Sequence, residues 1–173
     1  MIRESDAHGV GQVSQFRGSP DGYCDRMGAR ILVLNGPNLN MLGVRQPQVY
    51  GENSYADVVD VCRRAAAARG AEVEVRQTND EAELLGWIHD VARARNFSAI
   101  VINPAAWTHT SVAVADALVI PEVPVVEVHI SNVHAREPFR HHSYVSPVAS
   151  GVIAGFGIAG YGYAVDRAVE LSE

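Results

Sequence analysis

A doubly wound α/β domain is predicted for this 173-residue chain by three observations. From residue 30 onward, short apolar runs alternate with longer amphipathic stretches. The run at residues 31–34 is continuous, as in a strand buried on both faces. The composition does not shift after residue 30, and at ~150 residues per domain the length suits one domain. Five strand–helix alternations imply a five-stranded parallel sheet with helices on both faces.

Residues 31–34 (Ile-Leu-Val-Leu) form the first strand. Residues 54–69 form a helix with Val58, Val59, Cys62, Ala65 and Ala66 inward, and Gly70 is its natural stop. Residues 73–76 are a short strand. Thr78 and Glu81 have the spacing of a capping box, opening a helix that turns Leu84, Leu85, Ile88 and Val91 inward. Residues 99–102 are the third strand, 110–118 the third helix, and 125–128 a fourth strand introduced by Pro124. Residues 151–154 and 158–171 supply the fifth strand and a closing helix. Residues 1–28 are polar, Gly/Ser-rich and lack an apolar core segment, so they are expected to be an extension and not a secretory signal, with Met27 an alternative start. Residues 29–173 are then a single α/β domain.

Apolar residues make up 47% of the chain and charged ones 20%, enough to bury a substantial core. The net charge of −6 argues against nucleic acid as the main partner, because phosphate binding needs a positive field. No apolar stretch approaches the ~20 residues that cross a bilayer. Cys24 and Cys62 have no metal-ligand spacing and suggest neither a disulfide nor a zinc site. A reduced, cytoplasmic protein is expected.

Ligands of doubly wound sheets bind at the carboxyl ends of the strands, where strand order reverses. Asn35-Gly36-Pro37-Asn38 follow the first strand, Gln77 and Asn79 the second, and Asn103, Thr108 and His109 the third. His129, Ser131 and Asn132 follow the fourth, with His134, Arg136, Arg140, His141 and His142 nearby. Five of the seven histidines thus fall within residues 109–142, beside amides and arginines that suit an uncharged or anionic polyol. Taken singly, each has a plainer reading: a turn at residues 35–38, a loop cap at Asn103, a structural His129, a surface His89. Their convergence on one rim favours a site. The 39–51 connection exceeds the usual two to six residues, as a lid would, and carries Arg45 and Tyr50. Gly155-Phe156-Gly157-Ile158-Ala159-Gly160 matches G-x-G-x-x-G, yet no further strand with an acidic residue follows. Close packing of the last helix is the expected role of these glycines.

Several segments together resemble the type II 3-dehydroquinate dehydratases. They are residues 34–40 (LNGPNLN), Arg45 with Pro47 and Tyr50-Gly51, Gln77-Thr78-Asn79, and Ile102-Asn103-Pro104 with residues 108–111 (THTS). Residues 127–137 (EVHISNVHARE) and 139–143 (FRHHS) agree as well. The resemblance covers roughly residues 29–171 and implies a flavodoxin-like fold. It implies conversion of 3-dehydroquinate to 3-dehydroshikimate plus water through an enolate, without metal or cofactor, in the shikimate (aromatic amino acid) or quinate pathway. Tyr50 would remove the proton alpha to the ketone, with Arg45 favouring the tyrosinate; ionising a free Tyr at pH 7 costs about 4 kcal/mol. Asn38 would serve the enolate oxygen through a water, and His129, oriented by Glu127, would protonate the departing hydroxyl. Asn103, His109, Ile130, Ser131 and Arg140 would bind substrate, Arg140 at its carboxylate. Asp116 would reach a neighbouring subunit's site in a homododecamer built from trimers. Gln46 stands where the family usually has glutamate, and Pro104 and Trp107 leave the pocket's width open. Two other readings are a non-catalytic module binding a nucleotide or flavin, which would raise its melting temperature, and a metal-dependent hydrolase, which chelators would silence.

Overall fold

The computed structural model describes residues 28–44 and 53–173. Strands β1 (Arg30–Asn35), β2 (Glu72–Gln77), β3 (Ala99–Asn103), β4 (Val125–His129) and β5 (Gly151–Ala154) form one parallel sheet in the order β2-β1-β3-β4-β5. This is the flavodoxin-like order, and strand order reverses between β1 and β3.

Alternate residues of each central strand enter opposite cores. Ile31, Val33, Val101, Val126 and Val128 pack beneath helices α1 (Tyr55–Ala68) and α4 (Ala159–Ser172). Leu32, Leu34, Ile100 and Ile102 pack beneath α2 (Glu81–Ala94) and α3 (Val112–Leu118). Each such side chain contributes roughly 1.5–3 kcal/mol when fully buried. Edge strand β2 alternates Val73 and Val75 with Glu72, Glu74 and Arg76, and charge of this kind discourages pairing with another strand.

Helix α1 begins at a capping box: Ser54 Oγ accepts from the Asp57 N–H, and Asp57 Oδ2 accepts from the Ser54 N–H at 2.7 Å. The chain leaves it through Gly70, whose φ of +65° favours glycine. Val58, Cys62 and Ala66 face inward as expected, with Val59 and Ala65 only half-buried. The expected Thr78–Glu81 box does not form. Asp80 caps α2 by accepting from the Ala82 N–H, while the buried Thr78 hydroxyl donates to Glu83 Oε2 at 2.5 Å. Residues 105–109 form a 3-10 turn before α3, so that helix starts two residues later than expected.

The Gly155–Gly160 motif also needs correction. Gly155 (φ +90°) and Gly157 (φ +60°) serve the turn, and a Cβ at Gly160 would meet only ordinary contacts at 3.5 Å. Close approach occurs at Gly36. There a Cβ would stand 2.4 Å from the Pro104 carbonyl oxygen, and the N–H donates to the Asn103 carbonyl at 2.8 Å. Among the described residues no helix is long and apolar enough to cross a membrane.

Candidate active site

One pocket opens at the carboxyl ends of β1, β3 and β4, where the strand order reverses. Asn38 comes to it from the loop after β1, and Asn103 and His109 from the end of β3 and the turn that follows. His129, Ile130 and Ser131 continue from β4, and Arg140 reaches in from a 3-10 turn at Pro138–His141. Leu39, Met41 and Leu42 give the pocket an apolar wall.

Glu127 lies behind this rim with no exposed surface. Being two residues apart on one strand, it and His129 share a face, and His129 Nε2 donates to Glu127 Oε1 at 2.8 Å. That bond occupies Nε2, so Nδ1 is the ring nitrogen left for proton exchange. Burial pushes the Glu127 carboxyl up, but hydrogen bonds from His129, Ser146 and Ser143 outweigh it and hold it below the usual carboxylate value. His109 Nδ1 donates to the His142 carbonyl at 2.7 Å, which makes its Nε2 the free acceptor. Burial, aided by Arg140 and His129, pushes the His109 imidazole below its ordinary value against that bond.

Asn103 is oriented from below. Its Nδ2 donates to Tyr161 Oη at 2.8 Å, and its Oδ1 accepts from the Ala105 N–H at 3.2 Å. The loop-cap reading of Asn103 therefore holds, and the same residue also lines the pocket. Tyr161, fully buried on α4, donates onward to Asn35 Oδ1 at 2.6 Å. The cap also helps hold Ala105 at φ +53°, a left-handed conformation that costs a non-glycine residue roughly 1–3 kcal/mol. Asn38 is left-handed too (φ 68°), and its N–H donates to Asn79 Oδ1 at 2.8 Å. Gln77 and Asn79 thus brace the loop after β1 and stay outside the pocket lining.

Arg45, Gln46 and Tyr50 lie outside the described residues. Asp116 is exposed on α3, away from this pocket. Pro104 and Trp107 do not line it: Pro104 is buried against Gly36, and Trp107 packs on the second core. His89 is half-buried on α2, also away from the pocket. Among the described residues, no group of three or more His, Cys, Asp or Glu side chains could hold a metal.

Sequence reasoning left four contributors without a role. Arg136 lines the pocket beside Arg140, with Glu137 3.6 Å from the first guanidinium and 2.8 Å from the second. Its four-residue spacing from Arg140 was the available signal. Ser143 and Ser146 reach Glu127 from a distant loop, and Tyr161 reaches Asn103 from the last helix. A hydroxyl on the inward face of an otherwise apolar helix was the clue to Tyr161.

The pattern of the family described as dehydroquinase class II matches residues 29–169. A Pseudomonas aeruginosa protein named 3-dehydroquinate dehydratase 2 is 61% identical over 143 residues, covering 83% of this chain and 95% of the relative. The 3-dehydroquinate dehydratase of Streptomyces avermitilis is 59% identical over 146 residues, covering 84% and 91%. The crystal structure of the type II dehydroquinase from Propionibacterium acnes superposes with a TM-score of 0.78 at 49% identity, covering 83% of this chain and 98% of that one.

Proposed function

Because the chain belongs to the class II dehydroquinase family, we propose that it removes water from 3-dehydroquinate to give 3-dehydroshikimate, without metal or cofactor. The observation that carries this reading is the buried Glu127–His129 pair, whose histidine lines the pocket at the sheet's switch point.

In the proposed reaction Tyr50, as tyrosinate favoured by Arg45, takes the proton alpha to the ketone. The electrons move onto the carbonyl oxygen as an enolate, served by Asn38 through a water. The enolate then collapses: the hydroxyl beta to the ketone leaves with a proton from His129, forming the carbon–carbon double bond and water. Glu127, accepting from Nε2, stabilises the imidazolium and aims Nδ1 at the leaving group. Arg140 holds the substrate carboxylate, while Asn103, His109 and the Ile130–Ser131 segment meet its polar groups.

The proposal extends to a homododecamer built from trimers, in which Asp116 completes a neighbour's site. Two apolar patches support it, since joining trimers into a closed assembly needs two kinds of contact. Val112, Val119 and Ile120 are exposed around Asp116, and Val152, Phe156 and Tyr163 are exposed at the β5 edge. Residues 29–173 are proposed as one cytoplasmic catalytic domain acting in the shikimate or quinate pathway, with residues 1–28 an extension.

The test is absorbance of the conjugated enone formed from 3-dehydroquinate, with chelator in one sample and, in another, protein first treated with substrate and borohydride and then desalted. Product should form at an unchanged rate in both. Tyr50→Phe should abolish turnover while retaining substrate binding; undiminished turnover would remove Tyr50 as the base.

A further inference from the structure

Glu127 occupies an interior register of the sheet, paired with Ile102 of β3 and closed off from solvent. A carboxylate in such surroundings stays charged only if donors satisfy its oxygens. Besides His129, two serines do so: Ser143 Oγ donates to Oε1 at 2.9 Å and Ser146 Oγ to Oε2. Both carboxylate oxygens are therefore held, and the plane in which the carboxylate meets the imidazole is set.

The two serines belong to one short segment that is itself locked. Ser143 Oγ accepts from the N–H groups of Val145 (3.1 Å) and Ser146 (3.0 Å), closing a tight turn. Val145 is buried in the second core, and the Tyr144 N–H donates to the Thr108 carbonyl at 2.9 Å. Immediately before them, the His142 carbonyl is the group that fixes the His109 ring. Residues 142–146 thus set two imidazoles of the pocket, one directly and one through Glu127.

We propose that Ser143 and Ser146 are positioning residues of the reaction: by holding Glu127 as the acceptor for His129 Nε2, they keep His129 Nδ1 as the nitrogen that protonates the leaving hydroxyl. The inference rests on the reading of His129 as general acid given above. Without Ser146, Oε2 becomes a buried acceptor lacking a donor. Glu127 then takes up a proton at higher pH and no longer supports the imidazolium.

The experiment is kcat and KM for 3-dehydroquinate against pH, for the wild-type chain and for Ser146→Ala, Ser146→Thr and Ser146→Cys. Ser146 is the cleaner position because Ser143 also closes the turn. Ser146→Ala should lose about tenfold in kcat with KM within about twofold, and the acid limb of kcat should move up by about one pH unit. Ser146→Thr, which keeps the hydroxyl, should follow the wild-type profile, and Ser146→Cys, a weaker donor, should fall between. A wild-type acid limb in Ser146→Ala overturns the proposal, as does a Ser146→Thr loss equal to that of Ser146→Ala. If Ser146→Ala does not fold, Ser146→Cys decides: an acid limb unmoved from wild type overturns the role. Absence of product from the wild-type chain would overturn the dehydratase reading and this role with it, whereas wild-type turnover with an unmoved acid limb removes only the role of the serines.

Discussion

Two buried polar clusters lie near the carboxyl edge of the sheet on its opposite faces, one neutral and one ionisable. Under β1 and β3, Asn35, Asn103 and Tyr161 form a chain of amide and hydroxyl groups with bonds of 2.6 and 2.8 Å. Under β4, Glu127 gathers His129, Ser143 and Ser146 around a charge. Burial pushes the Tyr161 hydroxyl far above its ordinary value, so the first cluster keeps one protonation state across the working range. The second is built around a carboxylate, Glu127, that its donors keep charged. On the proposed reading, holding the substrate and moving its proton fall to separate networks, and only the second should respond to pH.

The largest effect that tests this division is His129→Ala, which should lower kcat roughly 10²–10⁴-fold with little change in KM, measured by enone absorbance. A loss seen mainly in KM would break the division. Next is Glu127→Gln, expected to lower kcat roughly 10²-fold, toward the lower end of what a lost proton-transfer partner costs. It should also change acid stability. The Glu127 pKa is lower in the folded chain than its unfolded value of about 4.3, so its contribution is present above that value and fades as pH falls through the folded one. The wild-type melting temperature should therefore drop on acidification below about pH 4.3, and Glu127→Gln should flatten that part of the curve.

Tyr161→Phe should act on the neutral cluster alone. It leaves Asn103 Nδ2 and Asn35 Oδ1 without the partner they share, costing about 1–3 kcal/mol in urea unfolding. KM should rise severalfold while the acid limb of kcat stays in place; a shifted limb would mean the two clusters are coupled. The smallest effect is expected from Arg69→Ala, outside both. Its guanidinium joins Asp166 at 2.5 Å and Glu170 at 3.0 Å across α1 and α4. Salt screens such exposed pairs, so kcat and KM should not change and the melting temperature should fall slightly, and less so at high ionic strength.

Apolar-rich runs located every strand to within two residues, the continuous ones most directly, because burial on both faces leaves few other ways to arrange Ile31 to Leu34 or Ala99 to Ile102. The rim was legible for the same reason: polar residues directly after such runs stand at the sheet's carboxyl edge. Local patterns failed where tertiary contacts outbid them. Thr78 has the spacing of a capping residue, but its hydroxyl is spent on Glu83 and Asp80 takes the cap. The supporting groups were illegible because their partners are remote. Ser143 and Ser146 lie 16 and 19 residues from Glu127, and Tyr161 lies 58 from Asn103 and 126 from Asn35. Nothing in the spacing of a lone serine or tyrosine records such a meeting. The expected roles of Arg45 and Tyr50, outside the described residues, rest on the long 39–51 connection and on the resemblance.

Gly36 has a mechanical consequence. Lacking a side chain, it lets the loop after β1 lie flush on Pro104 and share a hydrogen bond with Asn103, so the two loops form one plate with no seam beneath the pocket. Such a floor does not yield when a ligand presses on it. The compliance needed to admit and release substrate must then come from the pocket's open side, and the plate serves as the fixed jaw against which any moving part closes.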